Sequence, residues 1–135
     1  MYAIVIGGGK VGYYLASELL ERGEEVLLLE KDSARAEWLS SQLGSVVLTG
    51  DGDEMSFLST TGMERADVVL AVTGDDEDNL VALQLAKKRF NVKRTIARVN
   101  NPANVRIFKI LGVDEAISAT ELLLSAMEEE IAEES

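Results

Sequence analysis

The sequence has no cysteine and no histidine. The first absence removes disulfides, thiolate metal sites and a cysteine nucleophile. The second removes the commonest general base and the commonest metal ligand. Basic residues are scarce: 13 Lys and Arg stand against 24 Asp and Glu, for a formal net charge of −11. Such a surface repels phosphate backbones and anionic lipid, which argues against nucleic-acid partners and direct lipid binding. Part of the charge is local, in Glu128, Glu129, Glu130, Glu133 and Glu134, where a solvated helix face or frayed tail is expected. No apolar run approaches the ~20 residues of a membrane span. The apolar stretch at residues 2–6 is too short for the core of a signal peptide. The expectation is a cytoplasmic chain. At 135 residues, 47% of them hydrophobic, it has the size of one well-buried domain over 1–135.

Short apolar runs alternate with amphipathic stretches. Strands are expected at 2–6, 26–29, 46–48, 68–72, 95–99 and, more weakly, 113–117. Helices are expected at 11–22, from Asp32 or Ser33 to Leu43, around 55–60, from Asp75 or Asp76 to the basic run Lys87-Lys88-Arg89, from Asn101-Pro102 to Leu111, and at 120–132. Capping residues open these helices and Gly23, Gly44 and Gly112 close three of them. Strands apolar on both faces call for a parallel sheet covered on both sides. Right-handed crossovers then give an α/β, Rossmann-like doubly wound sheet of three αβα layers, most simply in the order 3-2-1-4-5-6.

Gly7-Gly8-Gly9-Lys10-Val11-Gly12 fits the dinucleotide fingerprint G-x-G-x-x-G, with a strand before it and a helix opening inside it. Gly7 permits the tight turn, Gly9 lets backbone approach a pyrophosphate, and Gly12 lets the helix pack closely. Free amides and the positive dipole end of the helix suit phosphate. Glu30, at the end of the second strand, is placed to accept hydrogen bonds from both ribose hydroxyls. It would repel a 2′-phosphate, so NADP is disfavoured, and the neighbouring Lys31 weakens that exclusion only slightly. The switch point of such a sheet gathers the strand ends where ligands bind. Thr49-Gly50-Asp51-Gly52-Asp53 suits the rim of an adenine pocket. Thr73-Gly74-Asp75 and Asn79 either line the far half of a ligand or cap a helix. Arg98, inside an apolar strand, needs an anion, either a ligand phosphate or one of the nearby acids. Lys10 can reach a phosphate or stand exposed without a role. The acids Asp51, Asp53, Asp75, Asp76 and Asp78 have no metal-ligand spacing, and no metal site is assigned.

Taken together, these residues resemble the nucleotide-binding half of an RCK domain, the TrkA-type (KTN) regulatory domain of potassium transporters and channels. The matching pieces are the glycine turn with Lys10, Glu30, Gly50-Asp51, Ala66-Asp67, Ala71-Val72-Thr73, Asp75 to Leu80 with Asn79, Ile96-Ala97-Arg98-Val99 and Leu111-Gly112-Val113-Asp114. The strand-two acid is commonly aspartate in that family and is glutamate here. The family's second, C-terminal subdomain is not in the sequence. The resemblance implies a domain that binds NAD or NADH, or alternatively ATP, ADP or AMP. It implies assembly as a homodimer or ring at the inner face of the cell membrane, on a membrane-embedded potassium-translocating subunit that ligand exchange gates. It places Gly7, Gly9, Lys10 and Gly12 on phosphates, Glu30 on the ribose, Asp51 near the adenine, and Thr73 and Arg98 toward the distal half.

No catalytic residue is assigned. An oxidoreductase, the competing reading, needs a substrate pocket and an acid or base beside the nicotinamide, and nothing pairs Lys10, Tyr13 or Tyr14 with a base. A redox-sensing transcriptional regulator would need a basic helix. The last helix carries Leu122, Leu123, Met127 and Ile131, more apolar surface than one flank of a single domain requires. A dimerising face at about 120–132 is therefore expected.

Overall fold

A computed structural model describes residues 1–133. The chain runs β1 (Tyr2–Ile6), α1 (Lys10–Glu21), β2 (Glu25–Glu30), α2 (Ser33–Leu43), β3 (Val47–Thr49), α3 (Met55–Leu58), β4 (Val68–Ala71), α4 (Asp76–Phe90), β5 (Thr95–Val99), α5 (Val105–Ile110), β6 (Glu115–Ser118) and α6 (Ala119–Glu133). One six-stranded sheet has the order β3-β2-β1-β4-β5-β6, and every pairing is parallel. This is the doubly wound Rossmann-like arrangement expected.

β1 is central and wholly buried. Its register sets Ile6 against Leu29 on one side and Ala71 on the other, so three strands end level with one another. On one face α1 and α2 bring Ala16 and Leu39 onto Val5, Val26, Leu28 and Val72. On the other, Leu58, Met63, Leu83, Phe90 and Phe108 pack on Ile4, Val69, Ala97 and Val99. Burial of these side chains, at roughly 1.5–3 kcal/mol each, is the main force closing the two layers on the sheet.

Two features depart from the sequence expectation. The helix expected from Pro102 starts as a 3-10 turn, Pro102–Asn104, and α5 begins only at Val105. Asp76 explains this. Its carboxylate accepts the Asn100 and Asn101 amides at 2.6 and 2.9 Å and the Asn104 side chain at 2.9 Å, tying the segment to α4. Second, the sheet is not covered on both sides at its edges. Leu48 on β3 and Ile117 on β6 are exposed, each on an edge strand that has a neighbour on one side only. α6 has no buried residue, so the apolar side chains singled out on it lie outside the core of the single chain. Leu122, Leu123, Leu124 and Met127 are each more than half exposed, at 61%, 59%, 52% and 58%. Glu134, part of the acidic run, lies outside the described residues.

Candidate functional site

A crevice of about 240 Å³ opens at the carboxyl ends of β1, β2, β4 and β5. Its location follows from the topology. β2 and β4 flank β1 and their connections leave on opposite faces, which parts the loops above the strand ends. Ile6, Leu29 and Val72 form its apolar floor.

The glycine turn forms one wall. Gly7 has φ of +108°, and a Cβ there would lie 2.9 Å from the Thr73 side chain. A Cβ on Gly12 would come within 1.8 Å of the Gly7 carbonyl oxygen, so helix and turn touch through bare backbone. A Cβ on Gly8 would meet the end of the Leu39 side chain at 2.3 Å, a contact with a side chain and not with backbone. A Cβ on Gly9 would meet nothing within 4 Å. α1 starts with neither a side-chain cap nor an acid in its first turn, whereas Asp32 and Asp75 cap α2 and α4. The opening amides of α1 are therefore left for a solvent or ligand acceptor.

Glu30 closes the second wall. Its two carboxylate oxygens accept the Gly8 and Asp32 amides, each at 2.8 Å. Each oxygen keeps lone-pair capacity for a further donor. Across the mouth, Lys31 pairs with Asp78 at 3.3 Å, joining the loop after β2 to the first turn of α4. Asp51 and Asp53 sit on one turn, with the Asp53 amide donating to Asp51 at 3.2 Å. A hydrogen bond to Asp51, then burial and the charges of Asp51 and Asp78, push the Asp53 carboxyl up to about 6 against the opposing pull of Lys31. Asp51 is held below its ordinary value, first by the hydrogen bond from Asp53. The hydrogen bond between the two carboxyls thus raises Asp53 and lowers Asp51.

Arg98 reaches the crevice from β5. Its Nε is buried with no hydrogen-bond partner, and among the described residues no carboxylate pairs with it. Of the two anions expected for it, a ligand phosphate or a nearby acid, the acid is not supplied by the described residues.

Of the residues singled out from sequence, Gly7, Gly9, Glu30, Lys31, Gly50, Asp51, Thr73, Gly74 and Arg98 line this one crevice. Lys10, Val11 and Gly12 do not line it. Lys10 is exposed at the helix start, and Gly12 is buried beneath the turn. Asn79 lies under the crevice, fully buried. Its Oδ1 accepts from the Thr73 amide at 3.0 Å and the Thr73 hydroxyl at 2.6 Å, and its Nδ2 donates to the carbonyls of Thr73 and Arg98 at 3.1 and 2.9 Å. With every donor and acceptor engaged it locks the ends of β4 and β5 together, which is a structural task. Gly52 also lines the crevice, and a Cβ there would strike the Ile6 side chain at 2.4 Å. Gly8 and Arg35 were not marked by the fingerprint, which leaves its second position open and does not extend to α2. Among the described residues no cluster of three acids is arranged to hold a metal ion, and no helix is long and apolar enough to cross a membrane.

A doubly wound parallel sheet, a glycine turn at an uncapped helix and a strand-two acid define a Rossmann-type domain of the dinucleotide-fold class. The chain belongs to the TrkA-N domain family, whose model matches residues 3–119. It is 39% identical over 132 residues to the Trk system potassium uptake protein TrkA of Mycobacterium tuberculosis, covering 97% of this chain and 60% of that protein. It is 36% identical over 118 residues to a TrkA homolog of Methanothermobacter thermautotrophicus, covering 87% and 54%. The chain thus spans little more than half the length of these relatives. Among solved structures, the NAD(P)-binding domain of an exopolyphosphatase-related protein from Archaeoglobus fulgidus superposes with a TM-score of 0.84 at 27% identity, over 97% of each chain. GsuK bound to ADP superposes with a TM-score of 0.82 at 21% identity, over 99% of this chain and 34% of that one. The GsuK channel bound to NAD gives 0.73 at 24% identity, over 87% and 20%. The last two likenesses are likenesses of fold.

Proposed function

We propose that the chain binds an adenine nucleotide or NAD(H) as a regulatory signal and does no chemistry on it. One arrangement carries this reading: Gly9 at the uncapped start of α1, Glu30 and Arg98, whose Nε has no hydrogen-bond partner, line a single crevice. The amides suit a phosphate or pyrophosphate, Glu30 a ribose diol, and Arg98 a second anionic or polar group further along the ligand. The relatives are named as Trk potassium uptake proteins, and GsuK has been solved with both NAD and ADP. By that likeness the chain serves a potassium transporter or channel from the cytoplasmic side, as part of a homodimer or ring beside a membrane-embedded potassium-translocating subunit. Ligand gates such an assembly only by binding two of its arrangements with different affinity.

The decisive experiment is mass spectrometry of ligand released from the purified protein, followed by calorimetry with NAD, NADH, ATP, ADP and AMP. Saturable binding of at least one, lost on removing Glu30, is the expected result. Absence of binding to all five overturns the reading. Turnover of NADH with a panel of small carbonyls would replace it with the oxidoreductase.

A further inference from the structure

Three consecutive glycines make a turn whose peptide planes have little to hold them, since each glycine has a wide choice of φ and ψ. Two side chains supply the missing restraint. The Gly8 amide donates to Glu30 Oε1 at 2.8 Å, and the Gly8 carbonyl accepts from Arg35 Nε at 2.7 Å. Two successive peptide groups are thus fixed from outside the turn.

The second clamp has a directional consequence. In a planar trans peptide the carbonyl and the following N–H point opposite ways. Holding the Gly8 oxygen on Arg35 therefore turns the Gly9 N–H away from α2, and Gly9 lines the crevice. Arg35 is itself well fixed. Its amide donates to the capping Asp32 carboxylate at 2.8 Å, which sets the first turn of α2. Its guanidinium lies 4.4 Å over the Trp38 ring, a stacking that favours one plane of the group. It does not line the crevice.

We propose that Arg35 is a positioning residue for the anion-binding amides: by holding the Gly8 carbonyl it keeps the Gly9 N–H presented to a ligand phosphate. The inference rests on the nucleotide reading above and adds a residue outside the fingerprint. It assigns selectivity as well. Arg35 supports the phosphate-bearing part of a ligand and leaves the nucleoside part untouched.

The test compares wild type, Arg35→Lys and Arg35→Met in the full chain. Calorimetry with ADP and with adenosine gives the selectivity, and amide NMR of the ligand-free protein follows Gly9. Arg35→Met is expected to weaken ADP on the order of tenfold, the loss of one charge-assisted hydrogen bond, with adenosine unchanged. Its Gly9 amide resonance shifts and broadens before any ligand is added. Arg35→Lys keeps a donor for the Gly8 carbonyl and recovers part of the ADP affinity, and it keeps the question answerable if the methionine variant fails to fold. Trp38, the single tryptophan, reports the loss of stacking as a change in emission. Equal weakening of ADP and adenosine, or unchanged ADP affinity in Arg35→Met, overturns the proposal. So does weaker ADP binding with an unmoved Gly9 amide, which would make Arg35 a direct contact. If wild type binds neither compound the nucleotide reading falls, and the Gly9 resonance still decides the clamp.

Discussion

Glu30 Oε1 accepts the Gly8 amide at 2.8 Å across twenty-two residues of sequence. On the proposed reading the carboxylate that would grip a ribose also holds the glycine turn in shape, which couples its two tasks. Replacing the carboxylate with an amide, Glu30→Gln, weakens both. The side chain can turn only one oxygen to Gly8 or Asp32, and it loses the charge. A charge-assisted hydrogen bond contributes about 1.5–3 kcal/mol, so affinity for ADP or NAD should fall by at least about tenfold and the melting temperature should drop as well. Calorimetry and a thermal melt check both, and unchanged affinity would sink the ribose assignment.

The glycines of the turn separate folding from binding. At Gly12 a methyl group would overlap the Gly7 carbonyl, so Gly12→Ala forces helix and strand apart and should cost 3 kcal/mol or more, in the range of severe overpacking. At Gly9 the same methyl meets nothing, and φ is −72°. Gly9→Ala should therefore melt within about 0.5 kcal/mol of wild type while weakening ligand, because it adds a methyl to a residue that lines the crevice. Should Gly9→Ala bind ADP as wild type does, the phosphate does not approach this amide.

Arg98 gives a signature of opposite signs. A buried donor without a partner costs roughly 1–3 kcal/mol. Arg98→Met removes that cost and keeps much of the apolar stem, so the ligand-free protein should be as stable as wild type or more stable by about 1 kcal/mol. The same change should weaken ligands that place an anion there by about tenfold or more. Chemical denaturation and calorimetry read the two effects separately. A destabilised variant with full affinity would mean that Arg98 serves the sheet and not the ligand.

The pattern of strands was legible because Ile4 and Val69 sit in unbroken apolar runs, and a parallel sheet with helices on both faces leaves few ways to order them. The crevice was legible because the glycine spacing and Glu30 lie at strand ends, where the topology converges. Pairing over long distance was not. Asn79 resembles a ligand contact from its place in a first helical turn, yet all its hydrogen bonds go to Thr73 and Arg98. Arg35 resembles any surface arginine, and only the fold brings it to Gly8. Periodicity says which face a residue occupies, not which polar atom it will find there. The 3-10 turn after Pro102 is the same case, imposed by Asp76 from α4.

Protonation of the Asp51-Gly52-Asp53 turn should be visible in both stability and binding. The folded pKa of Asp53 is raised to about 6, above the ~3.9 of an unfolded aspartate. Its contribution is therefore fully present below about pH 4 and is lost as pH rises through about 6. Asp51, held low, acts in the opposite sense and loses its contribution in acid. The carboxyls are largely open to solvent, so after screening the Asp53 effect should be about 0.5 kcal/mol. Asp53→Asn should accordingly melt slightly above wild type at pH 7.5, with the gap closing toward pH 4.5. Affinity for ADP in wild type should fall as pH rises from 5 to 7, when a negative charge appears beside the ligand, and should stay flat in Asp53→Asn. Parallel pH profiles for the two proteins would show that Asp53 carries no such proton.

The exposed side of α6 predicts self-association. Leu122, Leu123, Leu124 and Met127 leave a contiguous apolar surface on a helix with no buried residue, a surface that a lone domain rarely leaves in water. The domain also has an open trough of about 530 Å³, lined by Leu15, Leu19, Leu70 and Ile96 and edged by Arg22, Arg94 and the acid Asp67. The acids on α6, Glu128, Glu129 and Glu130, are opposite in sign to those arginines. A second copy that lays its α6 along this trough buries both apolar surfaces at once, and twofold symmetry makes the exchange reciprocal. Leu123→Glu and Met127→Glu should each lower the mass measured by light scattering toward that of one chain. Arg22→Glu should weaken the same association through the rim, more at low salt than at high salt. If both charged substitutions on α6 leave the mass unchanged, the helix does not join two copies. If Arg22→Glu alone has no effect at any salt concentration, the helix is seated somewhere other than this trough.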